Sequence, residues 1–170
     1  GAGMAKVAGI AAAVIGGAAV ILLTGARGDR IHHLEVPRAG IGGLIVGAGG
    51  TVVMGSALDD RIMGGALAET LIGGAGDDYL HDGGGNDLLT GGAGADVFVF
   101  GRDGISDRVA DFEQGVDRLD VSDWGRIYSA SALAIVQTAT GALVSYGNET
   151  VTVTRAGAGG LVLTDADFLF

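Results

Sequence analysis

Three aspartates in this chain stand nine residues apart, each inside a run of glycines. Asp78, Asp87 and Asp96 hold the sixth place in GGAGDDYLH (73–81), DGGGNDLLT (82–90) and GGAGADVFV (91–99). A carboxylate in such a turn is a hard oxygen donor. The glycines reach backbone conformations that side chains forbid, so several carbonyls can face one spot. Hard oxygens without thiolate or imidazole select calcium over a transition metal. The eighth place of each unit is large and apolar: Leu80, Leu89 and Phe98. A flexible glycine linker has no reason to keep that spacing. The pattern asks instead for a short strand after every turn, with position eight pointing inward.

The period continues upstream in weaker form. GGALAETLI (64–72) and GSALDDRIM (55–63) keep the apolar eighth place as Leu71 and Ile62. The first has Glu69 where aspartate belongs and Leu67 where a turn glycine belongs. The second keeps Asp60 but has lost most of its glycines. The shared pattern, G-G-x-G-x-D-x-U-x with U large and apolar, is that of calcium-binding RTX repeats.

The stretch after the last good unit sharpens the resemblance. GGAGADVFVFGRDGISDRVADFEQGVDRLDVSDW (91–124) resembles the end of the RTX (hemolysin-type) calcium-binding domain of serralysin-type proteases, secreted lipases and mannuronan epimerases. The matching positions are Asp107, Val109, Asp111, Phe112, Gly115, Asp117, Leu119, Asp120 and Ser122. The ending LTDADFLF (163–170) resembles the apolar end of type I secretion substrates. The resemblance covers about residues 55–170. It implies calcium ions and type I secretion machinery as partners, and a secreted, extracellular protein.

It also implies a ligand set, with each calcium held between turns two units apart. The earlier turn gives the carbonyls of positions two and four with its carboxylate. The later turn gives those of positions one and three with its own. The best site then joins Gly74, Gly76 and Asp78 to Gly91, Ala93 and Asp96. A second joins Ser56, Leu58 and Asp60 to Gly73, Ala75 and Asp78. A third, weakened by Glu69 and Leu67, joins Gly65, Leu67 and Glu69 to Asp82, Gly84 and Asp87. A fourth pairs Gly83, Gly85 and Asp87 with Asp107 or Asp117 beyond the repeats.

Composition agrees with this reading. The chain has 34 glycines, one proline and no cysteine, so neither disulfides nor thiolate sites hold it. It carries a net charge of −10, and fifteen of its twenty acidic residues fall between Asp59 and Asp123, against four arginines there. Without cations these carboxylates repel one another and oppose compaction. Such a surface excludes nucleic acid as a partner.

Upstream of the repeats the chemistry changes. Residues 37–58 contain no carboxylate, so side chains cannot hold calcium there. Short apolar runs recur between glycine corners, at 19–23, 30–36, 43–46 and 51–54, and read as short strands. Stacked at about one coil per twenty-odd residues, they suggest a parallel β-helix. This part resembles the last coils of β-helical polysaccharide lyases and epimerases. Residues 5–23, apolar with Lys6 as the only charge, have two readings. They form solenoid core, which the alanine and glycine content favours over a membrane partner, or they are a signal or membrane segment.

Downstream, alternating runs at 108–112, 118–121, 133–138, 142–146, 150–154 and 161–164 suggest antiparallel strands closing the open end. The expected class is therefore all-β: a parallel β-solenoid whose β-helix-like coils (1–54) continue into a calcium β-roll (55–100), capped by antiparallel strands (101–170) that end in the secretion signal.

No catalyst accompanies this resemblance. The sequence contains neither H-E-x-x-H nor G-x-S-x-G, and its histidines are His32, His33 and His81. His81 falls at position nine of a repeat and reads as a surface residue. The chain reads as a binding and folding module that is not an enzyme by itself. Two rivals stand beside that reading: the tail of a β-helical carbohydrate-active enzyme, and a self-associating surface protein.

Overall fold

A computed structural model describes the strands Ile10–Ile15, Ala18–Leu23 and Leu44–Val46, and all residues from 52 to 170. Among the described residues, apart from short single-turn helices, every element is a strand. The first three strands are β1 (Ile10–Ile15), β2 (Ala18–Leu23) and β3 (Leu44–Val46). The repeats supply β4 (Val52–Met54), β5 (Arg61–Met63), β6 (Thr70–Ala75), β7 (Tyr79–His81), β8 (Leu88–Ala93) and β9 (Val97–Val99). Beyond them come β10 (Ser106–Phe112), β11 (Arg118–Asp120), β12 (Ala134–Gln137), β13 (Gly141–Tyr146), β14 (Glu149–Arg155) and β15 (Phe168–Leu169).

Successive strands of the roll alternate between two sheets. One sheet runs β1-β2-β3-β5-β7-β9-β11-β15 and the other β12-β13-β14-β10-β8-β6-β4. One coil therefore takes two nonapeptides, and consecutive glycine turns fall on opposite edges of the roll. Arg61 pairs with Tyr79 and Tyr79 with Val97, in parallel. The ninefold spacing explains this register. Position eight of every unit faces the space between the sheets, and Val53, Ile62, Leu71, Leu80, Leu89 and Phe98 are all fully buried. Each such side chain contributes about 1.5–3 kcal/mol of burial.

The parallel roll does not stop at residue 100. β10 pairs in parallel with β8 and β11 with β9, so 108–112 and 118–121 belong to one more coil and not to an antiparallel cap. Val109 and Leu119 take the inward place above Leu89 and Phe98. Insertions hid this coil, because its stacked residues lie 20 and 21 apart instead of 18. The antiparallel part is β12-β13-β14, and β14 joins the roll in parallel with β10. The run 161–164 is not a strand. Leu161 and Leu163 are buried, and the chain then turns through Asp165–Asp167. Thr164 and Asp167 form a reciprocal hydrogen-bonded cap there, and β15 docks in parallel on β11.

At the other end, β1 and β2 are antiparallel, where parallel coils were expected. Two residues join Ile15 to Ala18, and a parallel crossover needs a dozen or more. β2, β3 and β5 then stack in parallel. Residues 10–15 and 18–23 are thus strands. Among the described residues no helix is long and apolar enough to cross a membrane. The strand expected at 30–36, with His32 and His33, lies outside the described residues.

Candidate calcium-binding turns

The acidic residues of the turns form two stacked columns. The Asp60 N–H donates to Asp78 Oδ1 at 2.8 Å, the Asp78 N–H to Asp96 Oδ1 at 2.9 Å, and the Asp96 N–H to Asp117 Oδ1 at 3.0 Å. On the opposite edge the Glu69 N–H donates to Asp87 Oδ1 at 2.6 Å, and the Asp87 N–H to Asp107 Oδ1 at 2.9 Å. One oxygen of each upper carboxylate thus serves the backbone of the turn below. All seven acids are buried.

The second oxygens separate the turns into two groups. Asp78 Oδ2, Asp87 Oδ2 and Asp96 Oδ2 are buried and have no hydrogen-bond partner. Leaving a charged oxygen so is costly, which makes each of them a marker for a missing positive group. Asp60 is different: its Oδ2 accepts from the Ser56 N–H at 2.6 Å and the Ser56 hydroxyl at 2.8 Å. Glu69 Oε2 likewise accepts from the Gly65 N–H at 3.0 Å. The two degraded units therefore satisfy their own acids from within, and the good units do not.

The unpartnered oxygen of Asp78 stands beside a carbonyl of the next turn. A methyl group on Gly73 would lie 2.3 Å from Asp78 Oδ2 and 2.5 Å from the Gly91 carbonyl oxygen. The earlier turn's carboxylate and the later turn's first carbonyl thus share one pocket of space that only glycine leaves open. The same pairing recurs below, where Gly55 stands next to Asp60 Oδ2 and the Gly73 carbonyl. Gly64 stands similarly by Glu69 Oε2 and the Asp82 carbonyl.

Backbone conformation sorts the turns the same way. In the three good units, positions two and four are left-handed: Gly74, Gly76, Gly83, Gly85, Gly92 and Gly94 have φ between 88° and 135°. Ser56, Leu58, Gly65 and Leu67 do not. Their carbonyls are aimed differently, so the second and third expected sites each have one turn of another shape. Several expected ligand carbonyls also hold the turns together. The Ala75 N–H donates to Ser56 O, the Gly84 N–H to Gly65 O, and the Gly76 N–H to Ala93 O.

Of the two candidates for the fourth site, Asp107 stacks on Asp87, whereas Asp117 stacks on Asp96 in the other column. Asp111 was not among the expected ligands, yet its carboxylate accepts from both the Gly91 and Gly92 N–H groups at 2.9 Å. No repeat position marks Asp111: counted back from Leu119 at position eight, Gly115 and Asp117 fall at positions four and six, and Asp111 lies just before position one. Asp82, expected to give its carbonyl, also buries its carboxylate against the Gly101 N–H. His81 is half-buried beside it, its Nδ1 accepting from the Gly83 N–H at 3.0 Å.

The electrostatics call for cations. Burial pushes Asp78 and Asp87 up to about 7, Asp96 up to about 6 and Asp107 up to about 8, and neighbouring carboxylates add to the effect. Asp117 is raised too, again chiefly by burial. Among the described residues no cluster of three or more His, Cys, Asp or Glu side chains could hold an ion alone. The turns therefore offer a few carboxylates plus backbone carbonyls. That oxygen-only, carbonyl-rich set, with its unpartnered buried oxygens, fits calcium.

Comparison with known proteins agrees on the repeats. The RTX calcium-binding nonapeptide repeat, in its four-copy form, matches residues 54–80 and 63–98. No curated protein matches the chain. Among solved structures, the chain is similar to the AlgE6R3 subunit of the mannuronan C5-epimerase from Azotobacter vinelandii. The two are 26% identical with a TM-score of 0.46, over 74% of this chain and 81% of that one. Residues 54–98 are RTX calcium-binding nonapeptide repeats, folded as a parallel β-roll.

Proposed function

We propose that this chain is a secreted module that stays unfolded inside the cell, leaves by a type I exporter, and folds when it meets calcium outside. It acts by binding and folding, not by catalysis. The observation that carries the calcium part is the set of three buried, unpartnered carboxylate oxygens on Asp78, Asp87 and Asp96. An ion between the turns supplies the positive charge that these oxygens and the crowded acids lack. Gly74, Gly76, Asp78, Gly91, Ala93 and Asp96 form the strongest site. Gly83, Gly85, Asp87 and Asp107 form the next. The sites built on Ser56, Leu58 and Asp60, and on Gly65, Leu67 and Glu69, are weaker, because those acids are already hydrogen-bonded at home.

Calorimetric calcium titration tests the ranking. Asp78→Asn should remove at least one bound ion and most of the heat, whereas Glu69→Gln should change the stoichiometry little. No calcium heat in the unmodified chain sinks the proposal, and equal losses in the two variants sink the ranking. The export part rests on the ending LTDADFLF. Deleting residues 163–170 should abolish delivery to the medium by cells expressing a type I exporter. Undiminished export of the truncated chain would remove that part alone.

A further inference from the structure

We infer that two copies of this chain pair edge to edge through β12, about a twofold axis at Val136. β12 ends its sheet, and among the described residues no strand lies on its other side. Which backbone groups it leaves open follows from the hairpin. The Thr138 N–H donates to the Gly141 carbonyl at 2.9 Å, so these two residues form a hydrogen-bonded pair. Bonded and non-bonded pairs alternate along antiparallel strands. In the observed register the next bonded pairs are Val136 with Leu143 and Ala134 with Ser145. Ile135 and Gln137 therefore turn their N–H and C=O groups away from β13, toward the open edge.

Natural sheets blunt such an edge with charges, proline or a bulge. β12 has none of these. Its register with β13 is unbroken, and residues 127–148 contain no proline and no charged side chain. In a chain of net charge −10, this is a place where two copies can meet without acids opposing each other.

The open groups fix the register of the pair. Ile135 of one copy exchanges both hydrogen bonds with Gln137 of the second copy, and Gln137 with Ile135. Val136 then faces Val136 of the second copy in the closer, non-hydrogen-bonded kind of pair. Val136 is 58% exposed, whereas Ile135 packs against the core. Pairing thus takes from water an apolar side chain that one copy alone leaves wet. The charges beyond the two ends of β12 also match. Antiparallel pairing lays the start of one β12 beside the end of the other. Before the start, the exposed Asp165 carboxylate accepts the Ala130 N–H at 2.6 Å. Past the end, the exposed Arg155 donates its backbone N–H to the Thr140 carbonyl at 2.9 Å. Each copy's acid therefore lies toward the other's cation. Two four-residue strands make a small contact beside the roughly 1,200–2,000 Å² of stable interfaces, so the dimer is weak and reversible.

Sedimentation of the folded, intact chain over a graded concentration series tests this. The unmodified chain should pass from monomer to dimer as its concentration rises toward about 1 mM. The backbone amides of Ile135 and Gln137 should exchange more slowly as it does. Val136→Lys sets two like charges against each other on the axis and should stay monomeric. Its melting temperature in dilute solution, where the unmodified chain is also monomeric, should be unchanged. Gln137→Pro removes one outward N–H, a change that sheet edges tolerate, and should also stay monomeric. It decides the matter if Val136→Lys does not fold, and the amide exchange decides it if neither variant folds. A monomer at every concentration, with Ile135 and Gln137 exchanging freely, overturns the pairing and leaves the edge to a strand of another protein. A dimer that both variants retain overturns it as well, because the contact then lies elsewhere.

Discussion

Chelating calcium should unfold the roll. Circular dichroism of the chain in excess chelator should lose most of its β signal over residues 55–120, and calcium should restore it. Extracellular calcium modules bind with dissociation constants of about 0.1–1 mM. At a hundredfold excess of ion each site contributes about 2.7 kcal/mol, so three sites supply roughly 8 kcal/mol. That matches the whole stability of an ordinary domain, about 5–15 kcal/mol. The chelated chain should also respond to acid, and the sign follows from the buried aspartates. Asp78, Asp87, Asp96 and Asp107 have folded-state values of about 6 to 8, above the ordinary 3.8. Their protonated forms are therefore favoured by folding. That stability is fully present below about pH 4 and lost as the pH rises through 6 to 8. Structure in chelator should consequently increase as the pH falls from 8 toward 4. A β signal indifferent to both chelator and pH would refute the coupling.

Phe98→Ala should be the most damaging single change in the hydrophobic interior. Phe98 is fully buried. It is stacked between Leu80 and Leu119 in the same sheet and packs on Phe112, with ring centroids 6.4 Å apart. Truncating a buried phenylalanine costs about 3–5 kcal/mol. Because Phe98 joins the recognised repeats to the extra coil, the cavity would loosen both neighbours. Thermal melting at saturating calcium should fall by roughly 10 °C, and the calcium needed to fold should rise. Val136→Ala, at a position more than half exposed, provides the comparison. Equal melting shifts for the two variants would show that position eight does not hold the roll together.

The register of the roll was legible because two independent chemical demands recur at one period. Apolar residues at position eight and carboxylates at position six agree on nine residues, and only one stacking satisfies both. The extra coil obeys the same demands through Val109, Leu119, Asp107 and Asp117, but added residues before each strand break the count. Alternation then suggested an antiparallel cap, because the period of two shows that a run is a strand and says nothing about its partner's direction. The same loss of count left Asp117 without a secure column. Site quality was partly legible, since Leu67 and Glu69 announce a poor turn. That Ser56 satisfies Asp60 through both its N–H and its hydroxyl depends on turn conformation, which no spacing encodes.

Because consecutive turns lie on opposite edges, gene duplications in such a chain are subject to parity. Adding one nonapeptide would send every later turn to the other edge, pair Asp96 with the wrong column and exchange the sheets that receive the C-terminal strands. Adding two would leave both columns intact and lengthen the roll by one strand spacing, about 4.8 Å. Viable length variants should thus differ in increments of eighteen residues, the separation at which Asp60, Asp78 and Asp96 stack. The short insertions that carry the last coil to Asp107 and Asp117 preserve this rule, since they widen turns without moving any strand to the opposite sheet.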